Sequence, residues 1–138
     1  SEAMANEARI RNMSRVVLAI AGFAVLISGT VQGQGWSIPK PTPGLVPNTT
    51  AGKMLFAQHC SGCHGKDLKG SEKGPPLLHK IYESSHHGDA AFQLAVAKGV
   101  RAHHWQFGDM PPVEKVSPDD VAHITAHVRE QQRSVGIR

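Results

Sequence analysis

Cys60-Ser61-Gly62-Cys63-His64 is the stretch of this 138-residue chain that decides its reading. Cysteines three apart, with a histidine four beyond the first, share one face of a helical turn. Two sulfurs and an imidazole can therefore meet one flat partner. That geometry suits two thioether bonds to a porphyrin edge, with the imidazole of the same turn on the iron. Cys60 and Cys63 are the only cysteines, and their falling by chance into this spacing before a histidine has odds on the order of one in a thousand. The rival readings are a thioredoxin-like dithiol or half of a zinc site. The first lacks a βαβ pattern and the second lacks another cysteine pair. One covalent haem c consumes both thiols and leaves none for a disulfide.

A haem iron has a second axial position, and Met110 is the leading candidate for it. Met110 lies in Gly108-Asp109-Met110-Pro111-Pro112, 46 residues after His64. The two prolines keep that loop out of helix and restrict the backbone beside the thioether. A solitary methionine is usually core packing, but here an iron needs a ligand. Met54 precedes the haem-binding turn on the same helix and is a poor rival. His79, His103 and His104 are the competitors, and any of them would give two nitrogen ligands and a lower potential.

Working outward, the chain divides into 1–33, 34–48 and 49–138. Arg9, Arg11 and Arg15 precede the apolar run Val16 to Ile27, and no charge follows until Lys40. This pattern is read as an export signal cleaved near Val31-Gln32-Gly33, or as a retained membrane anchor over 16–33. Either way the domain behind it is expected to be periplasmic, soluble or tethered to the inner membrane. Residues 34–48 contain Pro39, Pro41, Pro43 and Pro47 and are read as an extended linker.

The remainder has room for one domain and no second catalytic one. Aromatic residues make up only 5% of the chain, so a buried haem would supply apolar surface that the side chains do not. The formal charge is +4, and from Gln34 onward 12 basic residues face 9 acidic ones. Two haem propionates would nearly cancel that excess, and no basic run with interleaved aromatics exists, so nucleic acid is not an expected partner.

Helix signals are punctuated by long loops. Asn48, Thr49 and Thr50 offer caps for a helix from about Ala51 to Cys60, breaking near Gly62 to Gly65. Residues 66–88 read as loop with at most a short turn. Asp89 is expected to cap a helix over 90–98, ended by Gly99. After another loop, Ser117-Pro118-Asp119-Asp120 supplies a cap, a proline at the first helical position and two acids on the dipole, for a helix to about Arg133.

From Thr50 to Gln132 the sequence resembles class I cytochromes c, especially the short bacterial single-haem type. The resemblance rests on Gly52 and Phe56, on Cys60-x-x-Cys63-His64-Gly65, on Gly74-Pro75-Pro76-Leu77, on Met110-Pro111 and on the final helix. It implies an all-α small cytochrome c fold, with three main helices and long loops around one covalently bound haem. It further implies that the first and last helices cross near Gly52, that the Pro75 carbonyl accepts the Nδ1 proton of His64, and that Met110 is the distal ligand. The pattern is broken at His127, where an aromatic usually packs against the first helix.

Nine histidines are many for so small a chain. Most are expected to be solvated, with His123 and His127 one turn apart on the last helix. His86, His87, His103 and His104 could instead assemble a copper or zinc site, since imidazole ligates both metals.

These features imply a carrier of single electrons between redox proteins, such as a membrane dehydrogenase and an oxidase, with no bond-making on a substrate. Two alternatives stay open: a haem subunit of a larger membrane oxidoreductase, and a gas-binding or peroxidatic haem protein. The early position of the haem motif and its single copy count against the last.

Overall fold

The Asn48 side chain accepts a hydrogen bond from the Ala51 amide at 2.9 Å and opens helix α1, Thr49–His59. The structure is a computed structural model, and it describes residues 37–138. The expected signal or anchor at 1–33 and the first residues of the linker lie outside the described residues.

Helix α1 ends at Cys60, whose φ of −121° departs from helix, and a separate four-residue turn, α2, Ser61–His64, follows at once. A 3-10 turn, Lys80–Tyr82, interrupts the next loop, as the expected short turn. Helix α3 spans Asp89–Lys98, with Gly88 rather than Asp89 in the cap position. Asp89 sits inside the first turn, where its carboxylate faces the positive end of the dipole. Helix α4, Pro118–Ser134, has a full capping box: Ser117 Oγ accepts from the Asp120 amide, and Asp120 accepts from the Ser117 amide. The Ser117 hydroxyl and, less strongly, its amide donate to the Asp120 carboxylate and hold it below its ordinary range. The described residues form no named strand, only the isolated bridges Ser71–Gly74 and Val100–Met110. None of their helices is long and apolar enough to cross a membrane.

The core is built where α1 and α4 cross. Phe56 from α1, Ile124 and Val128 from α4, and Leu68 and Leu77 from the loop after α2 form one buried cluster. The crossing is close because Gly52 has no side chain: a Cβ there would overlap the carbonyl oxygen of His123. His127 does the packing expected of an aromatic. Its ring is buried and lies 5.9 Å from that of Phe56, tilted by 59°, a separation in the range of favourable ring pairs. The same burial lowers its pKa, with Glu130 opposing and Lys53 adding to the effect.

Polar residues complete the interior. Arg129 is 9% exposed. It donates to the carbonyls of Tyr82 and His87, to Gln132 Oε1 and to Asp89, while lying 5.0 Å over the Phe92 ring. Gln132 Nε2 donates to the carbonyls of Leu77 and Tyr82. These two side chains tie the 77–88 loop to α4. The proline-rich stretch also touches α4: Thr42 donates twice to Asp119, and the Asn48 amide donates to His123 Nδ1 at 2.9 Å.

Candidate functional site

The loop after α2 folds back over the turn that carries the two cysteines. Gly65 and Gly70 turn the chain at φ of +78° and +82°, conformations that suit glycine. Three bonds close the loop: the Gly70 amide donates to the His64 carbonyl, Ser71 Oγ to the Cys63 carbonyl at 2.6 Å, and the Leu77 amide to the Leu68 carbonyl. Gly74 passes so near the turn that a Cβ would stand 3.0 Å from the Cys63 carbonyl oxygen. This path delivers the Pro75 carbonyl to His64.

His64 Nδ1 lies 2.9 Å from the Pro75 oxygen. A carbonyl accepts only, so Nδ1 carries the proton and Nε2 keeps its lone pair for a metal. Burial lowers the His64 pKa, partly offset by the Pro75 bond. The imidazole is thus held neutral and oriented, as a ligand to iron must be.

Cys60 and Cys63 are not joined to each other. Burial, with Cys63 adding to it, pushes the Cys60 thiol up to about 11. Cys63 is exposed, and a Cβ built at Gly62 would meet nothing within 4 Å, so this turn reaches the surface of the chain. Two thiols and a neutral imidazole within one turn and its junction are a donor set that fits a covalently held haem.

Met110 is half-buried, in a loop closed at its base. Its amide and carbonyl pair with Val100, and Gly99 beside it has no room for a Cβ, which would strike the Met110 carbonyl. The Asp109 side chain accepts from the Ala102 amide and ties the loop across. His79 is engaged elsewhere. Its Nδ1 accepts from the Ile81 amide and caps the 3-10 turn, and its ring meets Trp105 edge-on at 5.0 Å. Trp105 in turn donates to the Tyr82 hydroxyl at 3.0 Å.

His86, His87, His103 and His104 come together. Ring centroids lie 4.6 Å apart for His86 and His87, 4.1 Å for His103 and His104, and 5.3 Å for His87 and His104. Desolvation and the three neighbouring imidazoles lower the pKa of His104. Two contributions escaped the sequence reading. Ser71 carries no signal that would mark it as a brace of the Cys63 turn. Arg129 reads as an ordinary charged helix residue, although it anchors the loop that ends at His87.

A family model described as Cytochrome c matches residues 49–132. No curated protein and no solved structure matches the chain. The family match speaks for haem c and is silent on copper or zinc.

Proposed function

Because the chain belongs to the cytochrome c family, we propose that Cys60 and Cys63 bind one haem covalently, that His64 and Met110 ligate its iron, and that the domain passes electrons between exported redox partners. That the domain is a haem electron carrier follows from the family. The ligand set, the compartment and the partners are the proposal.

The observation that carries the ligand set is the bond from His64 Nδ1 to the Pro75 carbonyl. It presents Nε2 to a metal with the ring already oriented, so no side-chain freedom is lost when the iron binds. The haem supplies an Fe(III)/Fe(II) couple. The chain contributes the rest: two sulfurs retain the group outside the cytoplasm, and a thioether at Met110 favours the reduced state. Exposure of Cys63 offers a docking edge for brief encounters that bury less than about 1,200 Å². The Arg9 to Ile27 pattern supports export.

The test is to produce the full chain in a host that attaches haem c and to record mass and absorption. One added haem and a thioether charge-transfer band in the oxidised protein are expected, with no rapid CO binding to the reduced protein. Met110→His should remove the band and lower the potential by on the order of 100 mV, within the roughly 0.8 V range that axial ligands span. Rapid CO binding to the native reduced protein would instead show an open sixth position and the gas-binding alternative. A colourless product with free thiols and no added mass would end the reading altogether.

A further inference from the structure

The four clustered histidines take no part in the haem site proposed above, and the tertiary structure brings them together from two separate loops. His86 and His87 lie in the bend between the 3-10 turn and α3, and His103 and His104 in the loop that returns to Met110. One ring nitrogen from each of His86, His87 and His104 lies within 4.8 Å of the other two. Ligands on a tetrahedral zinc ion at about 2.0 to 2.1 Å stand about 3.3 Å apart. Small side-chain rotations would close that gap, and His86 and His104 are exposed.

The backbone has already oriented part of the set. His87 Nδ1 lies 2.6 Å from the Ile81 carbonyl and donates to it, so in the neutral ring Nε2 is the nitrogen left for a metal. The carbonyl of His87 itself is gripped by the Arg129 guanidinium from α4. His103 Nδ1 donates to the Arg101 carbonyl at 2.8 Å in the same way. A carbonyl behind the distal nitrogen is the arrangement that fixes tautomer and orientation in metal-binding histidines. Solvated surface histidines do not require it.

We propose that His86, His87 and His104 form a second metal site, separate from the haem, for a borderline divalent cation such as zinc(II) or copper(II). Three neutral imidazoles suit these ions better than magnesium or calcium, which take oxygen ligands. The fourth position is left to water, and His103 stands beside the site. An ion there cross-links the bend before α3 to the loop that carries Met110, and by binding only the folded chain it stabilises that connection.

The experiment is calorimetric titration of the full-length haem-loaded protein with zinc chloride in chelator-treated buffer at neutral pH. One ion per chain with a Kd of about 10 µM or tighter is expected. His104→Ala and His87→Ala should each weaken binding at least about 10-fold, while His59→Ala should leave it unchanged. A parallel copper(II) arm read by electron paramagnetic resonance should show coupling to imidazole nitrogens that diminishes in His104→Ala. The haem spectrum should stay constant throughout. Because His104 is exposed, its variant tests the site without disturbing the core. The proposal is overturned if no saturable one-to-one binding occurs, if both variants bind like the parent, or if either substitution changes the haem ligation bands. The last result would place that histidine on the iron.

Discussion

Gly74 shows how one missing side chain sets the geometry of the proposed haem ligand. Its backbone passes so close to the turn that a methyl group would stand 3.0 to 3.2 Å from three atoms of Cys63, tighter than an ordinary contact, and the next residue supplies the carbonyl that holds His64. Gly74→Ala must push the 71–76 loop away from the turn or distort the turn itself. Overpacking of this kind costs about 1 to 3 kcal/mol, measurable as a lowered midpoint in urea unfolding of the haem-loaded protein. The His64–Pro75 bond should lengthen with it. A midpoint equal to that of the parent would show that the loop is not packed as described. Gly70 and Gly74 could be suspected from the sequence because glycine clusters mark turns. Which carbonyl reaches which nitrogen could not, since the bond depends on Gly65 and Gly70, both at positive φ, acting together across the loop.

At the scale of elements, α4 does two different things along its length. Through Ile124, His127 and Val128 it packs on α1, and through Arg129 and Gln132 it fixes the loop from Leu77 to His87. The Arg129 contacts are unequal in energy. Its bond to Asp89 meets a carboxylate whose side chain is 73% exposed, and such pairs contribute about 1 kcal/mol or less. The bonds to the His87 carbonyl and to Gln132 Oε1 are less hydrated, and losing them takes the donor from both acceptors, while the Tyr82 carbonyl keeps Gln132 Nε2. Asp89→Asn is therefore expected to cost less than about 1 kcal/mol and Arg129→Ala about 3 kcal/mol, compared by chemical denaturation. Equal costs would contradict the assignment.

His127 gives the same helix a pH dependence. Burial disfavours its protonated form in the folded chain, so as pH falls through the ordinary value of about 6.5 the unfolded chain takes up the proton first. Stability from this residue is therefore full above that value and is lost as pH falls below it. His127→Phe should flatten the loss between about pH 7 and pH 5, seen as a smaller change in melting temperature than in the parent. An unchanged slope would show that the imidazole titrates freely.

For the whole molecule, the count of buried apolar side chains is small. Phe56, Leu68, Leu77, Val96, Val121, Ile124 and Val128 are the buried hydrophobic residues among those described, a modest core for a domain of this length. Long loops surround it, and the proposed haem would add the apolar surface that the chain lacks. Cys60→Ser with Cys63→Ser, which prevents attachment, is expected to leave helical far-ultraviolet dichroism but weaken near-ultraviolet signals and cooperative melting. A double variant that melts as sharply and as high as the haem-loaded parent would show that the protein core suffices by itself.

The sequence determined the helices, the family resemblance and the residues offered to haem, because caps, apolar spacing and Cys60-x-x-Cys63-His64 act within a few positions of one another. It also marked His127 as an odd residue at the helix crossing. Only the tertiary structure decided that His127 packs on Phe56 as an aromatic would, that Arg129 anchors a loop more than forty residues earlier, and that four histidines from two loops converge. Those relations arise from chain segments far apart in order and close in space. Local propensity cannot encode them, because each depends on where a distant backbone carbonyl or ring is delivered by packing.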